Sequence, residues 1–184
     1  KEDFIRFVSV LQQLAKQNGF DGLYITFSPF GVAKGTLDPI SWGGDAMTEF
    51  PPHGVWEYCR EIRSVNRLVP STNFIVYDMS DFVNKKQFIT ETDYPMYKCC
   101  FPCWDNTPRK AWSRGWCFNL SDEGFAIWLT DIISWTKKHH AKGNQYIYIN
   151  AWNEWGEGAI LEPTLRYGYK YLEIVKQCVE ANRS

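Results

Sequence analysis

Two glutamates, Glu154 and Glu157, are placed where a pair of carboxyl groups could do chemistry. They share one turn directly after an apolar segment, and Gly156 and Gly158 allow the backbone to bend there. In a water-poor aromatic setting, two neighbouring carboxyl groups acquire different pKa values, so that one stays ionised while the other keeps its proton. Cleavage of a glycosidic bond needs such an acid and such a base together. The alternative interpretation is that both glutamates are solvated loop charges.

The residues around this pair favour a functional site over an inert loop. Trp152 and Trp155 carry flat faces that stack on the C–H faces of sugar rings, and Asn153 lies between them. Glu162 either contacts substrate as well or supplies the negative charge that the start of a following helix favours. We therefore predict a catalytic pair with these four residues as its substrate-binding neighbours.

A second group of polar and aromatic residues lies in the segment FPCWDNTPR. Trp104 could stack on a sugar, Asp105 could hydrogen-bond to its hydroxyl groups, and Arg109 could orient a carboxylate. Alternatively, Asp105 only builds a turn and Arg109 is a structural ion-pair partner. A third candidate is EFPPH, where Glu49 lies at the end of a predicted strand, His53 follows it, and both form a further part of the substrate site.

The cysteines and histidines do not predict a metal site. Six cysteines are present, at positions 59, 99, 100, 103, 117 and 178. Their spacing is not that of a disulfide scaffold, and the cluster at 99–103 lacks a second Cys or His pair, so we expect reduced thiols. His139 and His140 end a basic stretch typical of a solvated helix C-terminus. We therefore expect neither metal nor cofactor.

The composition narrows the class of protein. With 184 residues, of which 45% are hydrophobic, the chain fits one domain with a core of its own. A net charge of −1 offers no field for nucleic acid. No apolar run reaches the roughly 18 residues that a membrane span needs, and no signal peptide is evident, so a cytoplasmic location is expected.

The elements that must position these residues alternate between strands and helices. Helices are predicted over 3–18, 80–89, 121–141 and 164–181. Strands are predicted over 22–27, 46–50, 73–78, 97–101 and 145–150, with a loop over 102–119. This order predicts parallel β/α units, and the candidate site residues follow strand ends, where such folds carry their chemistry.

Three segments, AWNEWGEGAILEP, FPCWDNTPR and EFPPHG, resemble the WbsX-type glycosyltransferase family, also described as glycoside hydrolase family 99-like. The resemblance extends to GFDGLYITF and RYGYKYLE, so it covers nearly the whole chain in order. It implies a (β/α)₈, TIM-barrel-like α/β fold, with residues 1–184 forming a single domain that covers about the last five β/α units. The remaining strands would lie upstream or on a partner chain, and the open sheet edge would favour a homo-oligomer.

The resemblance also implies an activity, a retaining hydrolysis of α-linked mannose- or rhamnose-type glycans. Glu154 would be the base that deprotonates the sugar 2-hydroxyl, which attacks the anomeric carbon to give a 1,2-anhydro sugar. Glu157 would protonate the leaving oxygen and then activate water. The sequence departs from the hydrolases at Gly156, where they tend to carry a histidine.

Two other functions remain open. The family's association with bacterial O-antigen gene clusters suggests a glycosyltransferase of surface polysaccharide synthesis, although the chain shows neither a D-x-D metal motif nor a glycine-rich phosphate loop. The other is a glycan-binding protein without turnover. In each case the partner is an oligosaccharide or polysaccharide.

Overall fold

The computed structural model describes four stretches of the chain, 1–28, 38–62, 74–110 and 115–183. Two compact units are formed, and each takes up two stretches of the sequence. The first unit contains Lys1–Phe50 and Glu91–Tyr97, and the second contains Pro51–Thr90 and Lys98–Ser184. Within the described stretches, no helix combines the length and the apolar character that crossing a bilayer requires.

Along the described residues, four α-helices are separated by groups of short strands. The helices α1 to α4 are Glu2–Gln17, Ser80–Asn84, Asp122–His139 and Lys170–Ala181. The strands β1 to β11 are Thr26–Phe27, Ala46–Thr48, Arg60–Ile62, Phe74–Asp78, Met96–Tyr97, Cys99–Cys100, Trp104–Asp105, Gly115–Asn119, Tyr148–Ile149, Asn153–Glu154 and Ala159–Ile160.

The first unit combines α1 with a parallel sheet of order β1-β2-β5. Acidic residues occupy the first turn of α1, where the helix dipole favours them, and Gly19, at a φ of 85°, follows its end. The sequence predicts an inward apolar stripe on this helix. The structure buries Val8 to 5% exposure, whereas Phe7 on the same stripe stays 55% exposed.

The second unit contains a mixed sheet of order β3-β4-β8-β7. β4 and β8 pair in parallel over five residues, and both outer strands are antiparallel to their neighbours. A parallel pair, β6 and β9, and an antiparallel hairpin, β10 and β11, complete the strands of this unit's described residues. The hairpin carries the two candidate glutamates.

Helix α3 covers the aromatic core of the second unit. Its first turn is capped by Ser121, whose Oγ accepts a hydrogen bond from the backbone N–H of Gly124 at 2.9 Å. Trp128, 1% exposed, packs edge-on against Phe82 and Phe101 at centroid distances of 5.1 and 5.2 Å. Burying one such ring contributes on the order of 2–3 kcal/mol, so this cluster anchors the strands that lead to the candidate site.

The predicted elements hold best where periodicity is long, and two predictions are wrong. The predicted loop 102–119 contains β7 and β8, because pairing with β4 supplies an order that the local sequence does not signal. The last helix begins at Lys170 rather than 164, since Thr164 and Gly168 form a bridged turn. Asn73, in the predicted strand 73–78, lies outside the described residues.

The strand pairing defines a mixed α/β fold. The second unit does not consist of purely parallel β/α repeats as predicted, because its sheet contains both parallel and antiparallel strand pairs. Among the described residues the strands group into four separate hydrogen-bonded sheets, and none of these closes into a barrel.

Candidate active site

The two glutamates lie on a tight hairpin of the second unit. β10 ends at Glu154, a 3₁₀ turn spans Trp155–Glu157, and β11 returns with Glu154 opposite Ala159. Gly158 closes the turn at a φ of 62°, a conformation that glycine adopts without steric cost. Glu154 is exposed, whereas the side chain of Glu157 is only 24% exposed. The same turn thus presents one open and one sheltered carboxyl group.

The hairpin is held against the segment that follows β6. A Cβ built on Gly158 would lie 2.9 Å from the backbone oxygen and 3.0 Å from the backbone nitrogen of Asp105, so the two backbones are in direct contact there. The thiol of Cys103 also donates a hydrogen bond to the carbonyl oxygen of Gly158, at a Sγ to O distance of 2.9 Å. The structure therefore brings together two of the three motifs predicted from the sequence.

Arg109 and Glu157 form an ion pair across these two segments. The guanidinium Nη2 donates to Oε1 of Glu157, and the Arg109 side chain is 45% exposed. Burial raises the pKa of Glu157 above its ordinary value, the Arg109 guanidinium acts in the opposite direction, and the negative charge of Glu154 raises it further. A raised pKa is what a carboxyl group requires to hold a proton for an acid role.

Gly156 lies between the two carboxyl groups and the arginine. A Cβ at this position would lie 3.0 Å from Oε1 of Glu154 and 3.4 Å from Nη1 of Arg109. Both groups therefore occupy space that a side chain at position 156 would need. This glycine is the point at which the sequence departs from the hydrolases it resembles.

Two tryptophans of the hairpin are open to solvent. Trp152 is 52% exposed and Trp155 is 60% exposed, as a ring face that stacks on a sugar must be. The indole N–H of Trp155 donates to Oε1 of Glu162 at 2.7 Å. Helix α4 begins only at Lys170, so the alternative role of Glu162 as a charge at the helix N-terminus is wrong. Asn153 lies exposed on β10.

Two residues of FPCWDNTPR are not open to a ligand in the way that the sequence predicts. Trp104 is only 4% exposed and packs against Phe101 at a centroid distance of 6.0 Å. Its burial argues against the stacking role, because a sugar needs an uncovered ring face. Oδ1 of Asp105 accepts hydrogen bonds from the backbone N–H and the hydroxyl of Thr107, at 2.9 and 2.6 Å. That carboxylate thus builds the turn leading to Arg109.

The third motif is divided between the two units. Glu49 belongs to the first unit, where its backbone N–H donates to the carbonyl of Tyr97 at 2.9 Å. His53 belongs to the second unit, where its ring meets Trp56 edge-on at 5.7 Å and burial lowers its pKa. The amide of Asn150 donates to the carbonyl of Pro51 at 2.7 Å, which ties the start of this segment to the strand end before Trp152.

Sequence reasoning did not predict the structural roles of three side chains that hold the site together. Asn150 and Cys103 make the contacts described above, and the buried Asn106 accepts a hydrogen bond from the backbone N–H of Trp116 at 2.7 Å. An amide at a strand end and an Asx residue before Thr-Pro were the available signals. Nothing in the sequence signalled the role of the Cys103 thiol.

The cysteines are free thiols in the structure. Among the residues that the structure describes, no group of three or more His, Cys, Asp or Glu side chains is arranged to hold a metal ion. The hairpin and the turn beside it present two carboxyl groups, an arginine paired with Glu157, and open indole faces.

The described residues form a mixed α/β fold in which a carboxylate pair lies beside open indole rings. Residues 1–175 match the model of the family described as glycosyltransferase WbsX, and the chain belongs to that family. A protein described as a glycoside hydrolase-like protein has a similar structure, with a TM-score of 0.56 and 12% identity, over 95% of this chain and 49% of the other. Both descriptions name classes of carbohydrate-active enzyme.

Curated relatives extend well beyond this chain. It is 32% identical over 143 residues to a protein described as uncharacterized protein WxcX from Xanthomonas campestris pv. campestris strain B100, and equally so to its counterpart in a second strain. The match covers 77% of this chain and 20% of the relative. The chain thus spans about a fifth of the length of the curated relatives it matches.

Proposed function

We propose that this chain carries the catalytic pair of a retaining glycoside hydrolase acting on α-linked mannose- or rhamnose-type glycans. The observation that carries the proposal is the hairpin in which Glu154 is exposed while Glu157 is sheltered, with burial raising the pKa of Glu157. Such a difference in environment is how two carboxyl groups take opposite roles at one pH. Membership of the WbsX family supports a glycan as the substrate.

Each glutamate has one task in this mechanism. Glu154, as an anion, removes the proton from the sugar 2-hydroxyl, whose oxygen then attacks the anomeric carbon while the glycosidic bond breaks. Glu157 gives its proton to the departing oxygen, and a 1,2-anhydro sugar results. Glu157, now an anion, deprotonates the water that attacks the anomeric carbon, while the protonated Glu154 returns its proton to the 2-oxygen as the anhydro ring opens. This second displacement at the anomeric carbon restores the original configuration. Trp152 and Trp155 offer open faces on which neighbouring sugars stack.

The proposed frame for this site is a (β/α)₈ barrel of which residues 1–184 form the later part, as a single domain. The glycoside hydrolase-like neighbour supports this proposal, because 95% of this chain superimposes on about half of that protein. The activity is accordingly proposed for the whole protein that contains this chain.

A glycosyltransferase is the second candidate, and the description of the family favours it. In that case the same carboxyl groups would act on a sugar donor, and an acceptor hydroxyl would replace water. The two candidates differ in whether product formation requires an activated sugar donor.

The test is incubation of the full-length protein with mannose- and rhamnose-containing oligosaccharides, with and without sugar nucleotides, followed by chromatography and NMR of the products. Hydrolysis predicts new reducing ends, with the α-anomer formed first. Product that depends on the sugar nucleotide would support transfer, and binding without product would support a glycan-binding protein.

Two substitutions test the residues themselves. Glu154→Gln and Glu157→Gln are each expected to lower kcat about 10²–10⁴-fold, the usual contribution of a general acid or base. Glu180→Gln, an exposed glutamate on α4, is the control and should leave the rate unchanged. Unaltered cleavage by both site variants would overturn the catalytic assignment.

A further inference from the structure

We propose that Arg109 is a positioning residue that selects Oε2 of Glu157 as the oxygen that carries the catalytic proton, and that Gly156 leaves space for its guanidinium. The inference rests on the proposed function, in which Glu157 is the acid. It assigns to Arg109 a role toward the carboxyl group rather than toward the substrate.

The first observation is which oxygen the arginine occupies. Nη2 of Arg109 donates to Oε1 of Glu157. A guanidinium has only donors, so an oxygen that accepts from it keeps its lone pairs toward the arginine and is a poor place for a proton. When Glu157 is protonated, the proton is therefore placed on Oε2. The pair also restrains rotation of the carboxyl group, which keeps that oxygen in one direction.

The second observation is the space at Gly156. A Cβ there would approach Nη1 of Arg109 to 3.4 Å, its Cδ to 3.6 Å and Oε1 of Glu154 to 3.0 Å. An alanine Cβ would only touch the guanidinium, at ordinary contact distance, whereas a branched side chain would extend further and crowd the guanidinium and the exposed carboxylate.

The third observation is that hydrogen bonds fix the backbone that carries Arg109. It ends a 3₁₀ turn, and its backbone N–H donates to the carbonyl of Asn106 at 3.2 Å. Asp105 fixes the beginning of that turn through Thr107. The Arg109 side chain therefore reaches the hairpin from a backbone whose conformation is restrained, as a positioning role requires.

The charges that face Glu157 set the direction of the pH effect. They are Arg109 and Lys110, which favour the anion, and Glu154, which disfavours it. The carboxylate of Asp105, on the packed strand β7, is occupied by Thr107. Removing the Arg109 charge therefore leaves burial and Glu154 to act with less opposition, and the pKa of Glu157 rises.

The experiment compares full-length Arg109→Gln and Arg109→Lys with wild type on two substrates. One is a disaccharide, whose leaving group must be protonated, and the other is a nitrophenyl glycoside, whose leaving group departs unaided. Arg109→Gln should lower kcat on the disaccharide about 10²-fold, as expected for a misplaced acid, and on the nitrophenyl glycoside less than about tenfold. The alkaline limb of the pH–rate profile of Arg109→Gln should move to higher pH. Arg109→Lys should give rates and a profile between those of wild type and Arg109→Gln.

Two further variants complete the test. Lys86→Gln removes the cation of an ion pair of similar exposure, Lys86 with Asp131, and should change neither rate nor pH profile. Gly156→Val crowds Glu154 as well as Arg109, so it should lower kcat on both substrates, and an unchanged rate would overturn the role assigned to Gly156.

The outcomes separate this inference from the proposed function. Equal losses on both substrates with an unmoved pH profile, while Glu157→Gln is still inactive, would overturn the role of Arg109 alone. If Glu157→Gln remained fully active, the proposed function would fail instead. A ¹³C NMR titration of Glu157 in wild type and Arg109→Gln tests the coupling without activity, and an unchanged pKa would overturn it.

Discussion

The indole N–H of Trp155 donates a 2.7 Å hydrogen bond to Oε1 of Glu162, although 60% of the Trp155 surface is open to solvent. An exposed ring of this size would otherwise sample several rotamers. The carboxylate fixes its direction, so a sugar that stacks on the ring does not have to order it first. Under the proposed function, Glu162 would act on a sugar through Trp155.

We expect Glu162→Ala to free the Trp155 indole, whereas Glu162→Gln keeps an acceptor oxygen at the same reach. Loss of this hydrogen bond in Glu162→Ala should speed exchange of the Trp155 indole proton by about fivefold, because such a bond contributes about 1 kcal/mol of net stabilisation. NMR of ¹⁵N-tryptophan-labelled protein measures this, and Trp155→Phe assigns the signal. Equal exchange in both Glu162 variants would contradict the fixed orientation.

Gly158→Ala should destabilise the second unit more than Gly168→Ala does. Both glycines have positive φ values, 62° and 54°, so both substitutions bear a conformational cost of about 1 kcal/mol. Only at Gly158 would the new Cβ lie 2.9 Å from a backbone oxygen, that of Asp105, whereas Gly168 has open space around it. We expect a total loss of about 3 kcal/mol for Gly158→Ala in urea unfolding. Similar losses at both sites would contradict the close backbone contact.

Asp78→Asn should lower stability at neutral pH but not in strong acid. Hydrogen bonds from the side chain and backbone of Ser80, and then the bond from Arg60, lower the pKa of Asp78 from 3.8 to about 2. A carboxyl group with a lowered pKa stabilises the fold at pH values above the ordinary carboxyl pKa. This stabilisation is lost as the pH falls from about 4 toward 2.

The measurement for Asp78 is thermal unfolding of both proteins at pH 7, 4 and 2. We expect a deficit for Asp78→Asn of about 1 kcal/mol at pH 7, the usual worth of such bonds, shrinking toward pH 2. Asp81→Asn is the control, because within the described residues that carboxylate pairs with exposed Lys85, in an i,i+4 geometry of small effect. A deficit that stayed constant with pH would show that the charge of Asp78 is not responsible.

Cys59 and Cys117 should resist alkylation in the native protein. Burial, and then the charge of Asp78, raises the pKa of Cys59 to about 12, and burial with Asp105 and Cys103 raises that of Cys117 to about 11. Only the thiolate reacts, so at pH 8 we expect rates below those of the same thiols in urea by about a hundredfold for Cys117 and about a thousandfold for Cys59. Mass spectrometry of iodoacetamide-treated protein measures both, and native labelling as fast as in urea would contradict the burial.

The parts of the fold that the sequence predicts well are those with local physical signals. The start of α3 at Ser121, its acidic first turn and its basic end need no tertiary information, and all three are confirmed. The parallel pairs of the first unit likewise agree with the predicted order of helices and strands.

What failed depends on partners distant in the chain. β8 is a strand because β4 pairs with it, and Trp104 is buried because the aromatic core lies beside it, neither of which the local sequence contains. At the site, the sequence pointed to both glutamates and to Arg109. It could not show that Arg109 meets Glu157, because 48 residues separate them.

The backbone contact between Gly158 and Asp105 bears on protein engineering. The hairpin of residues 153–160 and the turn of residues 103–109 fit each other through backbone atoms, a thiol and an ion pair. Transplanting the glutamate hairpin alone into a related scaffold would place a foreign backbone at Asp105 and leave Glu157 without its cation. A graft that aims to transfer substrate preference must therefore move both stretches together, with Gly156 and Gly158 retained.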